Sequence, residues 1–267
     1  MIDWLLNFGL ILLTQLTGLF GIFFVFGFIL SKLESATHRA YHNSVGWKGI
    51  LWTAWIGTPI HEIGHIVLAK LFRHRIERFS LFGPNEITGN LGYVDHSYSP
   101  RSIYQKIGNF FIGAAPLIFG SLFLVILLYT LVPNGRSVFA QLEPNQYSIY
   151  SIYKNTSNAI STLFSSENIR SWNFWLFLYI SFCIVSHMAP SKRDRSNMWN
   201  GLFWIILLLI IINLIAILFG FDLSNTIQKT NSYLGIMTGM YVYAILLALI
   251  HFVFASIFLW PFKKKKY

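Results

Sequence analysis

The stretch Gly57-Thr58-Pro59-Ile60-His61-Glu62-Ile63-Gly64-His65 decides how this chain is read, because it sets three ionisable side chains inside an apolar run over 48–71. On a helix, His61 and His65 lie four residues apart on one face, where two imidazole nitrogens can grip one metal ion. H-E-x-x-H is the spacing at which two histidines bind Zn²⁺ and the glutamate takes a proton from a metal-bound water. Ionisable groups are expensive in a bilayer, so three of them in one candidate span point to a functional site.

Working outward, the composition is that of a membrane protein. The 267 residues are 55% hydrophobic and 11% charged, against about 25% charged in soluble domains. Apolar runs that meet the ~20-residue requirement for crossing a bilayer lie at 4–30, 48–71, 103–132, 172–189, 201–220 and 235–261. The expected fold is therefore an all-α polytopic membrane protein of about six transmembrane helices, forming one membrane-embedded domain over 1–267. The net charge of +10 sits beside the apolar runs, so it reports topology and not a nucleic-acid partner. Cys183 is the one cysteine, which excludes an internal disulfide and a cysteine-based zinc site. The first run lacks a basic n-region and a cleavage site and is expected to be retained.

Six spans put both termini on one side. Lys70, Arg73, Arg75, Arg78, Arg101, Lys106, Lys192, Arg193, Arg195 and Lys263 to Lys266, thirteen of the twenty Lys and Arg, share the side of the C-terminus. By the positive-inside rule both termini are cytoplasmic in a multi-pass protein of the cell membrane, read as bacterial. The His61–His65 pair then lies in the cytoplasmic half of the second span. Lys263 to Lys266 are read as an anchor at an anionic inner leaflet.

Between the spans, residues 31–47 are expected to be an external connector carrying Glu34, His38 and His42. His38 and His42 are themselves four apart, but no acid or third ligand accompanies them. Pro59 removes an amide donor, so a half-helix capped by Thr58 competes with a simple kink. Residues 72–100 read as a membrane-associated β-hairpin: Ile76 to Leu81 alternates, Gly83-Pro84-Asn85 is a turn signal, and Leu91-Gly92-Tyr93-Val94 is a second extended piece. Such an edge could pair with an extended peptide. Small residues Gly108, Gly113, Ala114, Ala115 and Gly120 in the third span predict close helix packing. Residues 133–171 are read as an external loop too short for an independent domain.

Catalytic zinc takes three protein ligands and leaves one position for water. Glu34, Glu143, Glu167 and Asp222 fall on the wrong side in this topology. Glu86, Asp95, His96, His187 and Asp194 remain. Asp194 is preferred because the arm Ser186 to Asp194 joins two spans at the depth of the histidines, with His187 as the alternative third ligand.

At this point the chain resembles the site-2 protease family of intramembrane zinc metalloproteases. The likeness is strongest from His61 to Gly83, where His61-Glu62-Ile63-Gly64-His65 is followed by Ala69 and by Arg75-Ile76-Glu77-Arg78-Phe79-Ser80. Gly92-Tyr93-Val94 is similar to the second strand of the family's β-loop, and Gly113-Ala114-Ala115-Pro116 to the motif of its next core helix. The family's N-x-x-P-x-x-x-L-D-G pattern is altered here: Ser186 stands for the Asn, Pro190 is shifted by one, and Arg193-Asp194-Arg195 replaces Leu-Asp-Gly. The resemblance implies Asp194 as third ligand and Gly92, Tyr93, Val94 and Ser186 as substrate-binding positions.

The reading is a zinc metalloendopeptidase that cuts membrane-spanning or membrane-associated proteins or peptides near the cytoplasmic face, with His61, His65 and Asp194 on Zn²⁺ and Glu62 as base. The resemblance suggests single-span regulators, such as anti-sigma factors, or leftover signal peptides as substrates. Two rivals stand beside it: a catalytically silent client-binding protein of the same fold, and a metal-handling transporter. The oligomeric state is left open.

Overall fold

A computed structural model describes residues 2–142, 149–219 and 224–262. Helix α1 (Ile2–Leu16) runs through a π-helical turn at Thr17–Gly21 into α2 (Ile22–Val45). The chain reverses at Gly46 and a 3₁₀ turn (Trp47–Gly49) into α3 (Leu51–Leu71). At the end of α3, Arg73 adopts φ 59° and the His74 N–H bonds the Ala69 carbonyl at 2.8 Å. This closing turn satisfies a terminal carbonyl and turns the chain out of the helix.

There β1 (Arg75–Ser80) pairs antiparallel with β2 (Tyr93–Ser97), with one irregularity between Ile76 and Arg78. Helix α4 (Ile103–Leu131) starts at Ser102, whose Oγ accepts from the Gln105 N–H at 3.3 Å. Short helices α5 (Gly135–Ala140), α6 (Ile149–Leu163) and α7 (Ser166–Arg170) lead to α8 (Trp172–Val185). An irregular connector over 186–191 precedes α9 (Lys192–Leu218), and α10 (Ser224–Phe258) follows.

The bundle is built around α4, which packs against α3, α8 and α9. Its Phe110, Ala114, Leu117, Leu124 and Leu128 are fully buried. Gly113 makes the α4–α9 approach possible, because a Cβ there would run into the backbone carbonyl of Asp194. Helix α2 lies along α10, with Phe23 and Phe26 against the Tyr241 ring. Helices α1 and α9 are joined by a reciprocal amide pair: Gln15 Nε2 donates to Asn213 Oδ1 at 3.2 Å and Asn213 Nδ2 to Gln15 Oε1 at 2.8 Å.

Among the described residues, four helical stretches are long and apolar enough to cross a membrane: Phe8–Val45, Ile103–Leu131, Lys192–Leu218 and Met237–Phe258. The chain is thus a multi-pass membrane protein, mostly helical, with one two-stranded hairpin. The expected second span is present as α3, but its polar and ionisable residues keep it less apolar than those four. The expected fourth is α8, whose 14 residues reach about 21 Å at 1.5 Å each, short of the ~30 Å hydrocarbon core.

Four expectations change. Residues 31–45 are not an external connector: they continue the first helix, and Thr37, Tyr41 and Ser44 on this stretch are buried. Pro59 does not divide α3, which is helical on both sides of it. The fifth span starts at Lys192, nine residues before position 201. Residues 133–171, read as a loop, hold the helices α5, α6 and α7 among their described residues. The basic tail Lys263 to Lys266 lies outside the described residues.

Candidate metal centre

On α3 the four-residue spacing does what a helix requires, and His61 and His65 stack with their Nε2 atoms 3.2 Å apart. The third group arrives from α9. Ser191 and Asp194 form a capping box: the Ser191 N–H donates to Asp194 Oδ2 at 2.8 Å, and the Asp194 N–H to Ser191 Oγ at 3.2 Å. This fixes the aspartate in the first helical turn, aimed back at α3. Asp194 Oδ1 lies 3.4 Å from His65 Nε2, and Oδ2 lies 3.7 Å from His61 Nε2. Asp194 and His65 are buried at 6% exposure each, so water does little to screen the group.

The far ring nitrogens determine what the near ones carry. His61 Nδ1 lies 2.6 Å from the His187 carbonyl, and His65 Nδ1 2.9 Å from the Ile112 carbonyl. A carbonyl only accepts, so each Nδ1 bears a proton, and a neutral ring then turns its Nε2 lone pair toward the centre of the group. Two Nε2 atoms and a carboxylate converging in a buried site are satisfied by a shared proton or by a metal ion between them. Tetrahedral zinc, with ligand bonds near 2.0–2.2 Å, would space its ligand atoms by about 3.3–3.5 Å. The observed separations fit a metal ion, and the two carbonyls are the outer partners that hold metal-binding histidines in one orientation. Among the described residues, His61, His65 and Asp194 form the one group of this kind.

Glu62, the next residue on α3, is 7% exposed and lines two clefts. One, of about 310 Å³, runs past His65, Asp194 and β2 residues Tyr93, Val94 and His96. The other, of about 270 Å³, runs past Thr58, Glu34 and the connector at Ala189 and Pro190. Both include His61, Glu62, Asn90, Gly92 and Ser191, so together they form one groove across the site, between the hairpin and the α8–α9 connector. An ion pair bridges its walls: Arg193 Nη1 lies 2.7 Å from Asp95 Oδ1, and Arg78 Nη2 3.1 Å from Asp95 Oδ2. The Arg193 guanidinium beside Asp95, joined by Arg78, holds that carboxyl below the usual carboxylate range.

The structure brings His61, Glu62, His65, Asp194, Gly92, Tyr93 and Val94 together. It sends the His187 ring elsewhere, to Thr53 Oγ1 at 3.0 Å and against His38; His187 serves the site through its backbone carbonyl instead. Ser186 is buried and bonds His251 Nδ1 at 2.8 Å, away from the groove. Glu34 was missed. It lines the groove, and its Oε2 accepts from the Ala189 N–H at 3.2 Å. Discarding it followed from ending the first helix too early. The capping box was readable as Ser191-x-x-Asp194 before the fifth span.

No family model, no curated protein sequence and no solved structure matches this chain.

Proposed function

We propose that the chain is a membrane-embedded zinc endopeptidase of the kind the site-2 protease resemblance implies, cutting membrane-spanning or membrane-associated substrates near the cytoplasmic face. The observation that carries this reading is the place of Glu62, beside three convergent ligand atoms and at the junction of two clefts. Two imidazoles and one carboxylate make a mixed N/O set that suits catalytic zinc and leaves one position for water. The bound ion would polarise a scissile carbonyl and lower the pKa of its water toward about 7.

The chain's own residues do the rest. The His187 and Ile112 carbonyls keep both rings oriented, and Asp194 is held by its cap. Glu62 accepts the proton of the attacking water and returns it to the leaving amine. A helical substrate has its amides bonded internally and must unwind before attack, and the free edge of β2 offers the extended form new backbone partners. The client-binding rival gives a general base at this position no task. The polar side chains expected to mark a transport path are instead paired within the bundle, Gln15 with Asn213 and His251 with Tyr41 and Ser186, which gives a transporter no support.

The test is Glu62→Gln in the full chain in detergent, with membrane-fragment proteomics of cells carrying either form. Turnover is expected to fall by about 10²–10⁴-fold while zinc content is kept. Full zinc-dependent cleavage by Glu62→Gln would remove the base assignment.

A further inference from the structure

Beside the metal centre, β2 brings a second pair of histidines into line. His74, in the turn after α3, has Nε2 2.8 Å from the Gln105 carbonyl and Nδ1 3.0 Å from His96 Nδ1. The carbonyl only accepts, so His74 Nε2 carries a proton, and neutral His74 then has a lone pair at Nδ1. His96 Nδ1 must therefore donate, and the neutral His96 ring keeps a lone pair at Nε2. Both rings stay neutral: burial lowers the His74 pKa, and burial reinforced by His74 pushes that of His96 down to about 4. The hydrogen bonds thus run in one direction, from His96 through His74 to Gln105.

The Nε2 atom sits on the edge of the imidazole away from His74, and His96 lines the cleft that contains His61, Glu62, His65 and Asp194. Along this cleft β2 contributes Tyr93, Val94 and His96, while β1 contributes no lining residue. The unpaired edge of β2 and an imidazole locked as an acceptor therefore face the same groove. An extended peptide there offers backbone N–H groups as donors.

We propose that His96 is a substrate-positioning residue whose Nε2 accepts a hydrogen bond from one backbone N–H of a peptide lying along β2. This rests on the peptidase reading and adds to it a specific register: the accepted N–H belongs to one residue at a fixed distance from the cut. His74 has no substrate contact and acts by fixing the tautomer of His96.

The test uses the full chain, zinc-loaded in detergent, with a pool of synthetic decapeptides, from which one cleaved peptide is remade with a single backbone N-methyl at each position in turn. N-methylation at one position is expected to lower kcat/KM by about 3- to 10-fold. His96→Phe should cost about the same, and the two changes together no more than either alone. His96→Gln, which retains an acceptor, should recover most of the loss. Independent losses at every position, or His96→Phe matching the wild type, would overturn the proposal.

A second measurement needs no turnover. Diethyl pyrocarbonate acylates unprotonated imidazole nitrogens, so His96 of Glu62→Gln should be modified and should be protected by the decapeptide. Absence of modification would overturn the tautomer assignment even in an active enzyme. Peptide-protected modification of His96 in a chain that cleaves no decapeptide would overturn the peptidase reading while keeping His96 as a peptide-binding group.

Discussion

Asp194 does two things at once, and they separate by substitution. Its carboxylate caps α9 through Ser191 and faces both histidine Nε2 atoms. Asp194→Asn keeps an acceptor for the Ser191 N–H but loses the charge; the expected result is metal loss, read by elemental analysis, with little change in the Tm of the chelated protein. Asp194→Ala should lose the metal and also the acceptor of the Ser191 N–H, half of the capping box, lowering stability by about 1 kcal/mol. Chelation itself should destabilise the wild type, because a ligand at 100 times its Kd contributes about 2.7 kcal/mol; thermal unfolding with and without zinc checks this. Gly92 is a sharper probe of Glu62. A Cβ there would lie 2.9 Å from the Ser80 carbonyl oxygen and Thr58 Cγ2 and 3.0 Å from Glu62 Cγ. Gly92→Ala should therefore reduce kcat and leave zinc content intact. At this scale the two histidines were legible because a helix brings positions four apart together whatever surrounds them. Glu34 was not, since its place depends on where a helix ends, and polar residues over 31–45 mimic a loop.

The hairpin was readable from the alternation before Gly83-Pro84-Asn85 and from the extended piece after it, both local signals. What it leans on was not, because the Asp95–Arg193 contact joins residues that only the folded bundle brings together. That contact titrates in a defined direction. Asp95 has a depressed folded-state pKa, so its contribution is present above the ordinary aspartate value of 3.8 and is lost only as pH falls through the depressed value. The protection this ion pair gives β2 against hydrogen exchange should thus be constant between pH 5 and 8. Asp95→Asn should raise exchange in β2 across that range, by an amount matching a partly exposed ion pair, about 0.2–1 kcal/mol. Pro59 shows a choice that local sequence leaves open: between a break and a kink, the helix continues, held against α4 and α8 along its length.

For the molecule as a whole, α4 supplies the axis, and the positive-inside rule supplies the orientation we propose. Arg101 precedes α4 and Arg136 follows it, and both are exposed. In a background without Cys183, Arg136→Cys should react with an impermeant maleimide on intact cells, and Arg101→Cys only after lysis. The reverse pattern would invert the assigned topology. The multi-pass helical character was legible because apolar length is a property of each segment by itself; that α8 is too short to span and α3 less apolar than the four long stretches was not separated from it. The relation between spans was not, since pairings such as Gln15 with Asn213 follow from packing alone.

The split origin of the metal group has a consequence for how the protein is made. His61, Glu62 and His65 leave the ribosome on α3, while Asp194 follows only after α4 to α8 and sits in the first turn of α9. Until α9 docks against Gly113, the two histidines lack their carboxylate and α9 lacks its place. A metal held by all three residues would therefore load late in biogenesis, tied to the arrival of a particular helix. A nascent chain halted before Lys192 would carry the two histidines without the aspartate, so on the proposed peptidase reading it would be inserted yet inert.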